Sequence, residues 1–238
     1  MTKKNYYNDI IRLGLPILVG QLGMIVTAFA DNIMVGRYST EALASASFVN
    51  GVFNVVIFCC LGFTYGLTPL VGAMFGQKRM HDIGALMRNG LYLNMTYSMA
   101  LTAALGLLYF HLHRLGQPYE LLPLIRPYYL TALAGIVPVC VFNVFAQWCY
   151  GTTDSSTPMW IILGGNLLNI VGNYALIFGH MGAPELGLTG AGISTLASRL
   201  LTAAAIAAFF IFSKRAAQIR QGFAVATCLH ASGTQACR

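Results

Sequence analysis

Residues 42–77 read ALASASFVNGVFNVVIFCCLGFTYGLTPLVGAMFGQ, 36 positions without an Asp, Glu, Lys or Arg between Glu41 and Lys78. A helix needs about 20 apolar residues to cross the ~30 Å hydrocarbon core of a bilayer. Two crossings with a turn would need more than roughly 40 residues. The window therefore reads as one long membrane helix with a short approach. Membrane β-strands would show brief alternating segments instead, and this run does not alternate.

The pattern repeats on both sides. Charge-free windows of 18, 25, 27 and 30 residues lie between Arg12 and Asp31, Arg88 and Arg114, Arg126 and Asp154, and Asp154 and Glu185. A last apolar stretch runs from Glu185 to Lys214, interrupted only by Arg199. Each window holds one crossing, which places six helices at about 10–36, 47–75, 89–112, 127–150, 158–180 and 187–213. The expected fold class is an all-α membrane protein, with residues 1–213 as a six-helix transmembrane lobe and 214–238 as a short cytoplasmic tail. Gly36-Arg37, Gly76-Gln77, Gly151-Thr152 and Gly182-Ala183-Pro184 punctuate the connections, and such short loops make successive helices antiparallel. Pro16, Pro69 and Pro138 fall inside apolar runs, where they free backbone carbonyls and allow bends.

Composition agrees. Hydrophobic residues make up 57% of the 238 positions and charged residues 9%, against about 25% charged in a soluble domain. So few charges cannot cover a water-facing surface, so lipid is the expected partner. The net charge of +7 does not point to nucleic acid, because the cations sit in short clusters between apolar runs and form no basic face. With the N-terminus inside, ten Lys and Arg residues (3, 4, 12, 78, 79, 88, 214, 215, 220 and 238) are cytoplasmic, and Arg37, Arg114 and Arg126 are outside. That bias places both termini in the cytoplasm. Ala28-Phe29-Ala30 resembles a signal-peptidase site, but its apolar run is longer than a signal peptide's, and cleavage would invert the other helices against the charge bias. The six cysteines, Cys59, Cys60, Cys140, Cys149, Cys228 and Cys237, show neither a disulfide framework nor zinc spacing.

Two charges lie deep in the expected helices, Asp31 and Arg199. An intramembrane carboxylate is costly and marks a functional site by default. Arg199 on helix six reads as snorkelling to the cytoplasmic interface. Asn166, Asn169 and Asn173 are spaced three and four apart, on one face of helix five. Ser194 and Thr195 follow the small run Gly190-Ala191-Gly192 on helix six. Such residues commonly hydrogen-bond across packed helices. As a set, one carboxylate, amide carbonyls and a hydroxyl are hard oxygen ligands for a small monovalent cation. Burial raises the free energy of a bare carboxylate, and a proton or a sodium ion restores neutrality. Gln21, Asn54, Asn143 and Gln147 are further polar positions within helices and candidate cavity linings. No nucleophile–base pair lies at membrane depth, which speaks against an enzyme.

Leu15-Pro16, Gly20-Gln21 and Ala30-Asp31-Asn32-Ile33-Met34-Val35-Gly36-Arg37 resemble helix one of the multidrug and toxic compound extrusion family. Gly76-Gln77 with Gly84 and Leu86, Gly151 through Thr157-Pro158-Met159, and Gly165, Asn169 and Asn173 followed by Gly190 to Thr195 resemble later parts of that family's N-terminal lobe. The similarity extends over about residues 9–213. It implies a secondary antiporter of the bacterial inner membrane, driven by Na+ or H+ and exporting organic cations or other xenobiotics, with no cofactor and no metal beyond Na+ at Asp31. The resemblance assigns cation binding to Asp31, Asn169, Asn173 and Thr195, and a bend in helix one to Pro16. Asn173 stands where some members carry Asp, which favours a single-carboxylate site over a two-carboxylate relay.

Family members have roughly twelve helices in two lobes. Six helices and an unrelated tail imply a truncated or frameshifted product, inactive as a fragment, or else a half-transporter pairing with a second copy in place of the missing C-terminal lobe. A lipid-linked sugar flippase of the same superfamily is the alternative activity, ranked lower because Arg199 is the single cation inside a helix.

Overall fold

The computed structural model describes residues 3–225 apart from 115 and 117, with side chains described from residue 10 to 224. The expectations for Cys228, Cys237, Arg238 and the side chains of Lys3 and Lys4 fall outside the described residues. Nine α-helices occur among them: α1 (Lys3–Tyr38), α2 (Thr40–Tyr65), α3 (Leu67–Gly76), α4 (Met80–Phe110), α5 (Leu122–Ala134), α6 (Ile136–Gly151), α7 (Ser156–Phe178), α8 (Gly187–Phe212) and α9 (Ala217–Val225). They build six stretches long and apolar enough to cross a membrane, with α2 and α3 forming the second and α5 and α6 the fourth.

The two broken spans share one cause. Pro69 and Pro138 each stand third in the downstream helix, where a missing N–H costs no intrahelical bond. Each ring would clash with the carbonyl four residues earlier. Those residues are Tyr65 and Ala134, the last of α2 and α5. Pro16 behaves differently, because α1 continues through it.

Element bounds differ from the expected ones where polar residues continue a helix. The second span begins at Thr40 and the third at Met80, ahead of the expected 47 and 89. Ser39 starts the second by accepting a 3.1 Å hydrogen bond from the Ala42 amide. Asp82 lies in the first turn of α4 and pairs with Arg79 at 2.6 Å. Both are polar helix starts that a hydropathy window discards. The stretch expected as a cytoplasmic tail also contains structure: Ala217–Val225 forms α9, which lies against the start of α4. A Cβ on Gly84 would meet the backbone of Ile219, Gly222 and Phe223, and one on Gly222 the backbone of His81. These two glycines permit backbone-to-backbone approach.

Lipid offers no hydrophobic drive for apolar helices to associate, so small residues and polar contacts set the packing. α1 shows the division. Leu18, Leu22, Ile25, Phe29 and Ile33 are exposed along one stripe. Gly20, Gly23 and Thr27, three or four residues apart on another stripe, turn inward. Two buried apolar clusters lie toward opposite ends of the lobe, one around Val49, Phe53 and Tyr129, the other around Val71, Trp148 and Phe210.

Candidate cation site and cavity

α1 and α7 run side by side in parallel. A Cβ on Gly20 would touch Met159, and one on Gly23 would fall 2.7 Å from Leu163 and 3.3 Å from the Asn166 amide nitrogen. α8 runs antiparallel to α7: a Cβ on Gly190 would fall 2.5 Å from the Leu176 carbonyl oxygen, and one on Gly172 would meet the Ser194 hydroxyl. Glycines on three helices thus bring α1, α7 and α8 close enough for short side chains to meet.

At that meeting, the Asn173 amide donates to the Asp31 carboxylate at 2.6 Å. The same amide nitrogen lies 3.5 Å from Asn169 Oδ1. Asn169 Nδ2 donates to Thr195 Oγ1 at 3.1 Å, and Ser194 Oγ donates to the Asn169 carbonyl at 2.9 Å. Asp31, Asn173, Asn169 and Thr195 therefore form one hydrogen-bonded chain across three helices. Asn173 Oδ1 is buried and has no donor among the described residues. An unpartnered buried acceptor is costly. The Asp31 carboxylate and the Asn173 and Asn169 amide oxygens near it are hard oxygens of the kind that bind a small cation, and the carboxylate alone can take a proton, so the residues present fit Na+ or H+. Among the described residues no group of three or more His, Cys, Asp or Glu is placed to hold a metal ion.

The chain borders a cavity of about 390 Å³. Asp31, Asn169 and Thr195 line it, and so do Gln21, Asn54, Asn143 and Gln147, the four polar positions singled out as linings. Gln147 accepts from the Thr68 hydroxyl, and Asn143 Nδ2 bonds its own helix at the Val139 carbonyl, 2.9 Å away. Asn173 lies behind this wall, fully buried. Pro16 lies outside the cavity lining.

Arg199 departs from the expected snorkelling. It does not extend to an interface but lines the cavity with Asp31. A Cβ on Gly135 would fall 2.7 Å from its Nη1, so the guanidinium lies against the break between α5 and α6. The carbonyl end of α5 there favours a cation. A sequence signal existed: Arg199 is one turn beyond Thr195, with Ser198 and Thr202 on the same face. Reading it required knowing which way that face turns.

A six-span helical lobe enclosing a polar cavity with an intramembrane carboxylate defines a multi-pass membrane protein. The MatE family model matches residues 16–175. "Probable multidrug resistance protein NorM" of Photorhabdus laumondii is 31% identical over 214 residues, covering 88% of this chain and 46% of its own length. "Multidrug resistance protein MdtK" of Klebsiella pneumoniae is 29% identical over 191 residues, covering 79% of this chain and 41% of its own. A solved structure of a multidrug resistance MATE family transporter of the MOP superfamily, in an outward-facing conformation, superposes with a TM-score of 0.78 at 25% identity, over 87% of this chain and 45% of that one. The chain belongs to the MatE family, that of multidrug and toxic compound extrusion transporters. It spans about half the length of the curated relatives it matches and corresponds to one six-helix lobe of the two-lobe, twelve-helix architecture.

Proposed function

We propose that this chain is the N-terminal lobe of a cation-coupled antiporter of the bacterial cytoplasmic membrane, exporting organic cations and other xenobiotics, and not an enzyme. The observation that carries the reading is the 2.6 Å bond from Asn173 to Asp31 at the edge of a polar cavity. A carboxylate held there in a low-dielectric surrounding needs a positive partner. A proton, a sodium ion and a cationic substrate all satisfy that need. Binding of one disfavours the others, and this competition is the thermodynamic basis of exchange. Asn169, Asn173 and Thr195 supply the neutral oxygens that hold the coupling ion beside Asp31. Gln21, Asn54, Asn143 and Gln147 give the cavity wall its hydrogen-bonding capacity.

Access then alternates by rocking this lobe against a second six-helix lobe, supplied by further polypeptide or by a second copy. Pro16 is the place in α1 where bending costs least, since its ring already removes one helical hydrogen bond. The Lys and Arg bias puts the N-terminus and the segment after α8 on the cytoplasmic side.

The test is ethidium efflux from cells expressing the protein, with wild type against Asp31→Asn. Wild-type cells are expected to keep ethidium low and the variant to lose that ability at equal expression. Unchanged efflux in the variant would overturn the reading. Imposing a Na+ gradient or a pH gradient separately on proteoliposomes identifies the coupling ion.

A further inference from the structure

Of the residues lining the cavity, two carry charge, Asp31 and Arg199. No ion pair joins them: the salt bridges among the described residues are Arg79–Asp82 and Arg215–Asp154. The Arg199 guanidinium accordingly has no carboxylate, and it makes no side-chain hydrogen bond among the described residues. Apart from the bonds of the helix itself, its backbone carbonyl accepts from the Thr202 hydroxyl. The guanidinium thus lies at the cavity wall beside Gly135 with no side-chain acceptor among the described residues for its five N–H donors. That arrangement is expensive at membrane depth. Gly135 adds to the case, because any side chain there would occupy the space the guanidinium uses.

We propose that Arg199 is a specificity-determining residue that binds the carboxylate of acidic or zwitterionic amphiphiles, making the cavity a two-pole site. A planar guanidinium fits a carboxylate with two parallel hydrogen bonds, and the low dielectric strengthens them. The poles are not in contact, since no ion pair joins them among the described residues. The preferred ligand therefore carries a protonated amine and a carboxylate on an apolar frame, spaced to reach both. This inference rests on the cavity being the substrate site.

A matched dye pair tests it: a rhodamine whose free benzoic acid makes it zwitterionic, and its methyl ester, which is cationic. Binding of each to the purified protein in detergent is followed by fluorescence polarisation. Wild type is expected to hold the acid at least as tightly as the ester. Arg199→Gln should weaken the acid tenfold or more and the ester less than twofold, and Arg199→Lys should recover part of the acid's affinity. Equal losses for both dyes, or an unchanged affinity for the acid, would overturn the proposal. So would failure of wild type to bind the acid. Efflux of the ester by wild-type proteoliposomes reports separately on transport, so a binding preference without transport counts against the transporter reading and not against the role of Arg199.

Discussion

Asn173 reaches Asp31 across the packed first and fifth spans, donating a 2.6 Å hydrogen bond between residues 142 positions apart. Gly23 favours the bond, because a Cβ there would fall 2.7 Å from Leu163 and press α1 away from α7. The bond does two things at once. It stabilises the carboxylate with a donor, and it points the other amide atom, Asn173 Oδ1, into a buried position with no donor of its own.

Replacing Asn173 with Leu removes both the donor and the acceptor. Loss of the acceptor takes one hard oxygen from a Na+ site. Asn173→Leu should therefore require several-fold more Na+ for half-maximal ethidium efflux at equal protein content, measured in proteoliposomes across a series of Na+ concentrations. An unchanged half-maximal concentration would remove Asn173 from the cation site.

The seating of α9 depends on two glycines. A Cβ at Gly222 has nowhere to go except into the His81 backbone, and overpacking of this kind costs about 1–3 kcal/mol. Gly222→Ala should loosen α9 from α4 without disturbing the six spans. Limited trypsinolysis reads this directly: cleavage after Arg220 should speed up several-fold, with the rest of the chain protected as before. Identical digestion kinetics would mean that α9 adapts or is not docked.

Gly190 plays the same part between α7 and α8, where a Cβ would fall 2.5 Å from the Leu176 carbonyl oxygen. Gly190→Ala should destabilise the lobe by about 1–3 kcal/mol, visible as a lower midpoint in thermal unfolding in detergent. Because the shift also separates Asn169 from Thr195, efflux should fall as well. A variant as stable as wild type would show that the close approach is not needed.

Ser39 caps α2 by accepting from the Ala42 amide at 3.1 Å, while its hydroxyl donates to Glu41 at 2.6 Å. Losing a cap of this type costs about 1 kcal/mol. Ser39→Ala should lower the unfolding midpoint by a few degrees and leave efflux intact, since the residue lies outside the cavity lining.

Orientation is open to a direct check. Glu120 and Gln77 are exposed at opposite ends of the lobe. In intact cells a membrane-impermeant maleimide should label Glu120→Cys and should reach Gln77→Cys only after permeabilisation. The reverse pattern would invert the topology drawn from Lys and Arg.

Much of the site could be read in one dimension. Asn166, Asn169 and Asn173 fall on one face from spacing alone, and Asp31 stands out as a charge in an apolar run. The reading failed at Arg199, because a long side chain within a helix has two destinations. One is the interface. The other is whatever lies across from it, here the space beside Gly135. It also fell short at α9, where a moderately polar stretch looked like tail because the glycines that seat it, Gly84 and Gly222, lie far apart in the chain.

Sequence by itself determined the six spans, because crossing a bilayer depends on the length of an apolar run, a local property. Tertiary structure alone decided which polar groups meet: that Asn173 holds Asp31, that Asn169 reaches Thr195, and that Arg199 turns into the cavity instead of out to an interface. The rotation of each helix about its axis is set by the close contacts its neighbours allow, and those contacts come from residues far away in the chain.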